Sequence, residues 1–538
     1  MSETHTFIQG NWILDHDISI LRPQGILSVS LFLLGIWLAW EIGLNIVSQD
    51  LTAIAYIALC LVAVGVAVTI LRNWRLGFYF FLVWLLFEDL MRKYLGNNMA
   101  IYFAKDALLG LVYIAFYLGV RRREAKIFRP PFLVFGSLLL WLGVAQIFNP
   151  NSPHILYGLL GFKVYFYYVP LIFVGYALIR GDEDLRKFLV LNGFLAAIIG
   201  GIGIVQAIAG SSFLNPSTLA PELRELGNLQ KMTPLTNQMF TLPDSVFVSS
   251  GRFSLYLTVA MILTMGTAGY LLLYTKRSRK LIYIVFAIVA TATLLSGSRS
   301  AAVSAVTSAL VLLVGFLWGA PWRWRHAHRL TKAIRRTFIF GLLGLAGLLL
   351  IFPEEAGSRI AFYTETLSPS SSAYQGSYRT WDYPIRNLEL AFTNPNWVLG
   401  NGIGTASLGN QYVARAIGGQ PPNISVEEGF GTMIVEMGIL APFLWVLCSV
   451  VLLVSCWRVV RSLRQTRFFP IGFAIFWYTF LLLLPLTFGS LNSYQNYINN
   501  AYMWLMVGVL FRVGTLRMNQ NVPEQPGIFV RPRPEMEL

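Results

Sequence analysis

Charge is what this sequence has least of. Asp, Glu, Lys and Arg make up only 12% of its 538 residues, against about 25% in a water-soluble domain. Together with a hydrophobic share of 56%, that excludes one large soluble core. Cysteine is scarce too. Cys60, Cys448 and Cys456 each sit in an apolar run, so they supply neither a disulfide framework nor metal-ligand spacing. No internal repeat is visible. No small-residue cleavage pattern follows the polar lead before Ile26, so the first apolar run reads as an anchor and not as a removable signal peptide. Acid is the scarcer sign, with 26 residues against 41 basic ones and a formal charge of +15. In a soluble chain that excess points to nucleic acid. Here the basic residues are spread over short loops and follow membrane topology, so nucleic acid is rejected as a partner.

What is there is a series of apolar runs. About 17–25 residues cross the roughly 30 Å of hydrocarbon in a bilayer, and fewer suffice with snorkelling flanks. The runs are Ile26–Val47, Leu51–Leu71, Leu76–Leu90, Ala104–Val120, Phe132–Phe148, Val164–Ile179, Phe188–Ala209, Phe253–Tyr274, Leu281–Ser296, Ala301–Trp318, Phe338–Phe352, Phe430–Cys456, Phe468–Phe488 and Ala501–Val513. They predict an all-α polytopic membrane protein of about 14 helices (12–14), the third and last being the shortest. Alternating loops hold most of the 41 basic residues, for example Arg121, Arg122 and Arg123, or Arg458, Arg461 and Arg464. That bias places both termini in the cytoplasm. The predicted organisation is a cytoplasmic segment 1–25, helices over 26–352 with an outer loop at 211–250, a large outward loop 353–429 between the eleventh and twelfth helices, helices over 430–513, and a tail 514–538 that reads as disordered.

The basic residues that break the topology rule are the informative ones. Arg252 follows Ser249-Ser250-Gly251 at the mouth of a span. Arg299 sits in Ser296-Gly-Ser-Arg-Ser300, a hairpin with almost no loop. Arg379 precedes Trp381 in the large loop, and Arg92, Lys93, Lys105 and Lys163 stand at other helix ends. An arginine at a span boundary faces a polar cavity or partner, and its planar fork suits phosphate. The competing reading is that Arg252 and Arg299 snorkel to headgroups or pair with acids such as Asp244, and that Glu88, Asp89 and Asp106 neutralise Arg92, Lys93 and Lys105. Gly400-Asn-Gly-Ile-Gly404 lacks the strand-and-helix context of a nucleotide loop. Its glycines predict a tight turn and close backbone approach to a ligand. Glu427 and Glu428 stand where the large loop meets a helix. Either they complement its dipole, or one is a general base with a raised pKa. Glu436, further along that helix, reads as orienting polar groups or structuring the helix end. Tyr165-Phe-Tyr-Tyr168, Tyr494 and Tyr497 read as an aromatic belt, with sugar stacking as the alternative.

These residues resemble those of the O-antigen ligase and Wzy-type polysaccharide polymerase superfamily. Ser296-Gly-Ser-Arg299-Ser-Ala-Ala302 is similar to its Ser-Arg-Gly-Ala stretch. Arg379-Thr-Trp381 and Val398-Leu-Gly-Asn-Gly-Ile-Gly404 are similar to its Arg-x-x-Trp and glycine-rich loop segments. The segment from Glu427 through Glu436 to Gly438 resembles its loop exit, with Phe430, Glu436 and Gly438 matching by spacing. The likeness runs over roughly 249–447. One departure stands out: Glu427 replaces the ligases' His and Glu428 their Asn, which favours a polymerase over a lipid A-core ligase.

The resemblance implies a GT-C-like, metal-independent inverting glycosyltransferase of the bacterial inner membrane, with no cofactor. Its donor would be an undecaprenyl-pyrophosphate-linked glycan and its acceptor another glycan. Membrane lipid, a chain-length regulator or a flippase would be its partners. It further implies that Arg252 and Arg299 stabilise the departing pyrophosphate, that Glu427 takes the acceptor's proton, and that Arg379, Trp381, Glu428 and Lys163 bind substrate. The rival classes are a lipid-linked glycan flippase or transporter, and a membrane scaffold.

Overall fold

A computed structural model describes residues 51–97, 99–210, 212–216, 223, 230–274, 279–319, 321, 335, 350, 352–422, 424, 426 and 429–520. Among them, seven helices are long and apolar enough to cross a membrane: Met99–Arg121, Ile155–Leu178, Asp182–Ala209, Ser250–Leu271, Arg299–Gly319, Leu440–Ser462 and Phe469–Gly489. Val62–Arg72, Leu133–Ile147 and Leu281–Leu295 are shorter apolar helices. The chain is therefore a multi-pass membrane protein built of helices. The predicted runs Ile26–Val47 and most of Phe338–Phe352 lie outside the described residues, as does the tail beyond residue 520.

The helices used below are α1 (Leu51–Arg72), α2 (Trp74–Leu95), α3 (Met99–Arg121), α4 (Leu133–Ile147), α5 (Ile155–Phe166), α6 (Leu171–Leu178), α7 (Asp182–Ala209), α8 (Ser250–Tyr274), α9 (Arg279–Leu295) and α10 (Arg299–Gly319). They continue as α11 (Pro353–Leu367), α12 (Tyr383–Phe392), α13 (Asn410–Ala416), α14 (Gly429–Met437), α15 (Leu440–Ser462), α16 (Phe469–Leu481) and α17 (Tyr497–Gln520). The contacts divide the chain into Met1–Gly77 and Phe78–Leu538. In the first unit, Asn73 Oδ1 accepts the Leu76 N–H at 3.2 Å and starts α2.

In the second unit α8 is the interior helix, with 83% of its apolar window buried. It packs on α9, α10 and α16; α7 lies on α9, and α6 on α17. Burial on every side is why α8 reads as apolar all round. The α6–α17 crossing depends on two glycines. A Cβ at Gly175 would meet the Leu505 carbonyl, and one at Gly508 the Ile172 carbonyl. Small residues let membrane helices approach this closely. Gly508→Leu is expected to cost at least about 1–3 kcal/mol and to lower the melting temperature of the detergent-solubilised protein. An unchanged melt would show that the two helices do not touch there.

Two spans are interrupted, and each break is satisfied internally. Pro170 lacks the N–H that the Phe166 carbonyl would take, and that carbonyl accepts from Val169 N at 3.1 Å instead. Pro485 lies in a π-helical turn, Leu482–Leu486. There the Trp445 indole donates to the Leu483 carbonyl at 3.0 Å. Such repairs make irregular backbone tolerable at membrane depth. The predicted single span Phe430–Cys456 is corrected: it is α14 and α15, parted at Gly438 (φ +80°). A Cβ at Gly438 would strike the Val398 carbonyl, so the helix turns where the large loop crosses it.

The described residues are mostly helical, as the all-α expectation has it, with one small exception. Segment 211–250 carries an antiparallel hairpin, β1 (Gln230–Met232) with β2 (Met239–Thr241), pairing Lys231 opposite Phe240. Segment 353–429 contains three short helices, α11 to α13, and a π-helical turn at Tyr378–Asp382.

Candidate functional site

Arg299 opens α10 directly after the Ser296-Gly297-Ser298 turn. Gly297 has φ +64°, and a Cβ there would meet Leu242 and Phe240 at 2.6 and 2.7 Å. The turn therefore needs glycine. Below it lies Arg359, only 2% exposed. Its guanidinium donates to the carbonyls of Leu295 (3.0 Å), Thr241 (2.8 Å) and Ala207 (3.3 Å) and to Glu355 Oε2 (2.7 Å). One buried cation thus ties the ends of α7 and α9 to strand β2, using carbonyls that the two helices leave open. Phe240, Leu242 and Phe362 form an apolar seat on this frame.

Two cations, Arg299 and Lys231, sit on that seat, and a third, Arg379, is close enough to act on both. Arg299 Nη1 donates to Gln375 Oε1 at 2.9 Å, and its Cζ lies 5.5 Å from the Phe362 ring. Lys231 Nζ lies 5.0 Å from the same ring and donates to the Gly297 carbonyl at 3.3 Å. Gln375 also receives the Arg379 backbone N–H at 3.0 Å through its carbonyl, which brings the π-helical turn alongside. Arg379 itself is exposed, its Cζ 5.0 Å from the Tyr383 ring. Burial first, then the Arg299 and Arg379 guanidinium groups, push the Lys231 ammonium down to about 8. Among the described residues no carboxylate pairs with any of the three cations. Like charges held together without a counter-ion make an anion-binding surface. Trp381, 61% exposed, follows Arg379 in the same π-helical turn and meets Phe488 at 6.2 Å; Phe430 of α14 meets the same ring at 5.7 Å. Glu427 and Glu428, which precede α14 in sequence, lie outside the described residues.

The expected grouping of Arg252 and Lys163 with Arg299 and Arg379 is corrected. No described contact joins the two sets. Arg252 Nη1 lies 2.7 Å from both oxygens of Asp89, and Asp89 also takes Arg92 at 3.1 Å and the Tyr497 hydroxyl at 3.2 Å. Lys163 pairs with Asp106 at 2.5 Å, Lys105 with Glu88 at 3.0 Å and Lys93 with Asp244 at 3.0 Å. The physical reason is desolvation. Asp89, Glu88, Arg92 and Lys105 are almost fully buried, and ions in such surroundings must pair. The Tyr102 ring sits among them, 3.8 Å from Lys105 Nζ and 5.1 Å from Lys163 Nζ.

The glycine-rich loop also differs from expectation. Its glycines allow close approach to the chain's own backbone. A Cβ at Gly404 would strike the Tyr157 carbonyl and Gly161 of α5, and one at Gly400 the carbonyl of Glu436. Glu436, fully buried, accepts from Ser407 Oγ (2.7 Å), Ala406 N (2.9 Å) and the Tyr165 hydroxyl (2.8 Å). It fastens the loop to α5. Tyr165, Tyr168, Tyr494 and Tyr497 are buried rather than set at a lipid surface or open to a sugar. The Tyr494 hydroxyl, for example, donates to the Tyr165 carbonyl at 2.9 Å. Lys231 and Arg359 are among the basic residues that break the topology rule, but no motif singles them out. No protein-family model matches this chain, and neither a curated protein nor a solved structure does.

Proposed function

We propose that the protein is a metal-independent inverting glycosyltransferase of GT-C type, with about fourteen spans, that polymerises oligosaccharide repeat units carried on undecaprenyl pyrophosphate. It works on the outer face of the bacterial plasma membrane, with both termini cytoplasmic. The observation that carries this reading is the cationic cluster on Phe362, which has no acidic partner among the described residues. It suits a departing diphosphate. Arg299 and Arg379 hold that group. An acceptor hydroxyl oxygen attacks the anomeric carbon, the carbon–oxygen bond to the diphosphate breaks, and undecaprenyl diphosphate leaves with the bonding pair. Glu427 takes the hydroxyl proton. Trp381, exposed in the same π-helical turn as Arg379, offers a face for a sugar ring. Arg252 and Lys163, locked on Asp89 and Asp106, hold the fold.

Glu427→Gln is expected to abolish polymer formation without loss of folded protein. Normal polymer from this variant would reduce Glu427 to a helix-end charge. The interrupted spans at Pro170 and Pro485 favour a second reading, a lipid-linked glycan flippase, since transporters use broken helices. Deleting the protein and analysing cell glycans separates the readings. Accumulated single repeat units mean a polymerase, substrate trapped on the cytoplasmic leaflet means a flippase, and polymer not attached to its acceptor means a ligase.

A further inference from the structure

We propose that Lys231, carried on strand β1, is the third cation of the diphosphate site with Arg299 and Arg379, in the place that the family resemblance gives to Arg252. This rests on the diphosphate reading of the site. Lys231 and Arg299 share one aromatic seat, at 5.0 and 5.5 Å from the Phe362 ring. The hairpin that carries Lys231 is fixed at both ends. Its turn is held by Glu365, which accepts from Leu235 N at 2.7 Å and the Thr236 hydroxyl at 2.8 Å. Its second strand is held by Arg359 through the Thr241 carbonyl. The ammonium is therefore positioned before any ligand arrives, which lowers the ordering cost of binding.

Among the described residues, the charged and titratable groups around Lys231 include no free carboxylate, and they leave an anion as the partner that fits. From α10 and the π-helical turn come Arg299 and Arg379, both cations. From α11 come Glu365, occupied by the hairpin turn, Arg359, occupied by carbonyls and Glu355, and Tyr363, whose hydroxyl donates to the Leu294 carbonyl at 3.0 Å. A multivalent phosphate satisfies all three free cations at once, whether it comes as a lipid-linked diphosphate, free pyrophosphate or a phospholipid headgroup. Lysine differs from its two neighbours in one respect: it can lose its proton near neutral pH, while the guanidinium groups stay charged. Burial and the two arginines bring it down to about 8. The empty site therefore keeps its third charge below that pH and loses it above.

The test uses the full chain in phosphatidylcholine nanodiscs, titrated calorimetrically with inorganic pyrophosphate near pH 7 and near pH 9. Wild-type affinity is expected to fall about tenfold between them beyond the change seen for Lys231→Arg, which shares the ligand's own ionisation. Lys231→Met is expected to bind about tenfold or more weakly near pH 7, and to lose the same pH dependence. If Lys231→Met binds like wild type with the wild-type pH profile, the assignment of Lys231 is overturned while the diphosphate reading stands. If wild type binds no pyrophosphate at all, the diphosphate reading itself falls. If adding phosphatidylglycerol displaces pyrophosphate, the occupant is a headgroup phosphate and the diphosphate assignment falls.

Discussion

Arg299→Ala lowers polymer yield by about 100-fold or more, with the protein still inserted and folded. The magnitude follows from the loss of one preorganised donor to a developing negative charge, worth about 2.7–4 kcal/mol in other enzymes. Arg299 is poised for that role because its position is over-determined. It opens α10 behind a turn that only glycine fits, its Nη1 is held by Gln375 at 2.9 Å, and its guanidinium lies over Phe362. None of those contacts neutralises it. A purely structural arginine would instead be engaged as Arg359 is, by four carbonyls and a carboxylate. Arg299→Lys separates charge from geometry, since an ammonium is a point charge and cannot grip phosphate with a planar fork. It is expected to recover only part of the yield. Polymer of normal length and amount from Arg299→Ala, measured on membranes with equal protein, would contradict the assignment.

The second large effect concerns stability. Asp89→Asn removes the carboxylate shared by Arg252, Arg92 and Tyr497. Two cations then face the interior without their counter-ion, a cost of about 3–5 kcal/mol. The folded fraction in mild detergent and the melting temperature should both drop sharply. Asp89→Asn combined with Arg252→Met should recover part of the loss, because the two substitutions remove one interaction and do not add. The double variant also reports on chemistry. If Arg252 only holds the fold, the rescued protein keeps its activity; if Arg252 grips the leaving group, the rescued protein is folded and inactive. An unchanged melting temperature for Asp89→Asn would show that this network does not hold the helices together.

The helices were legible because a span needs little more than length and apolarity. Runs such as Phe188–Ala209 and Ala301–Trp318 fall inside α7 and α10. What one run cannot show is where a helix breaks within it. Gly438 looks like any other of the 46 glycines, and only the Val398 carbonyl pressing on it explains the turn. Partnership was the harder matter. Arg252 and Arg299 look alike in sequence, both basic residues at the start of an apolar run. Arg252 finds its carboxylate 163 residues away, a distance over which local pattern carries no information, while Arg299 finds none among the described residues. Lys231 is silent in the sequence for a different reason. It belongs to no motif, and only the pairing of two three-residue strands brings it to Phe362. The glycines of the 400–404 loop announce close approach, but what they approach, the α5 backbone at Gly404 and the Glu436 carbonyl at Gly400, is distant in sequence.

The central claim is that the cationic cluster on Phe362 receives a diphosphate leaving group. The most direct measurement gives the purified protein, in nanodiscs, an undecaprenyl-diphosphate-linked repeat unit and follows the products by mass spectrometry. The account predicts glycans lengthened by whole repeat units, an equal release of undecaprenyl diphosphate, and neither product from Arg299→Ala. Donor left intact by the wild-type protein, or consumed equally well by Arg299→Ala, would contradict it.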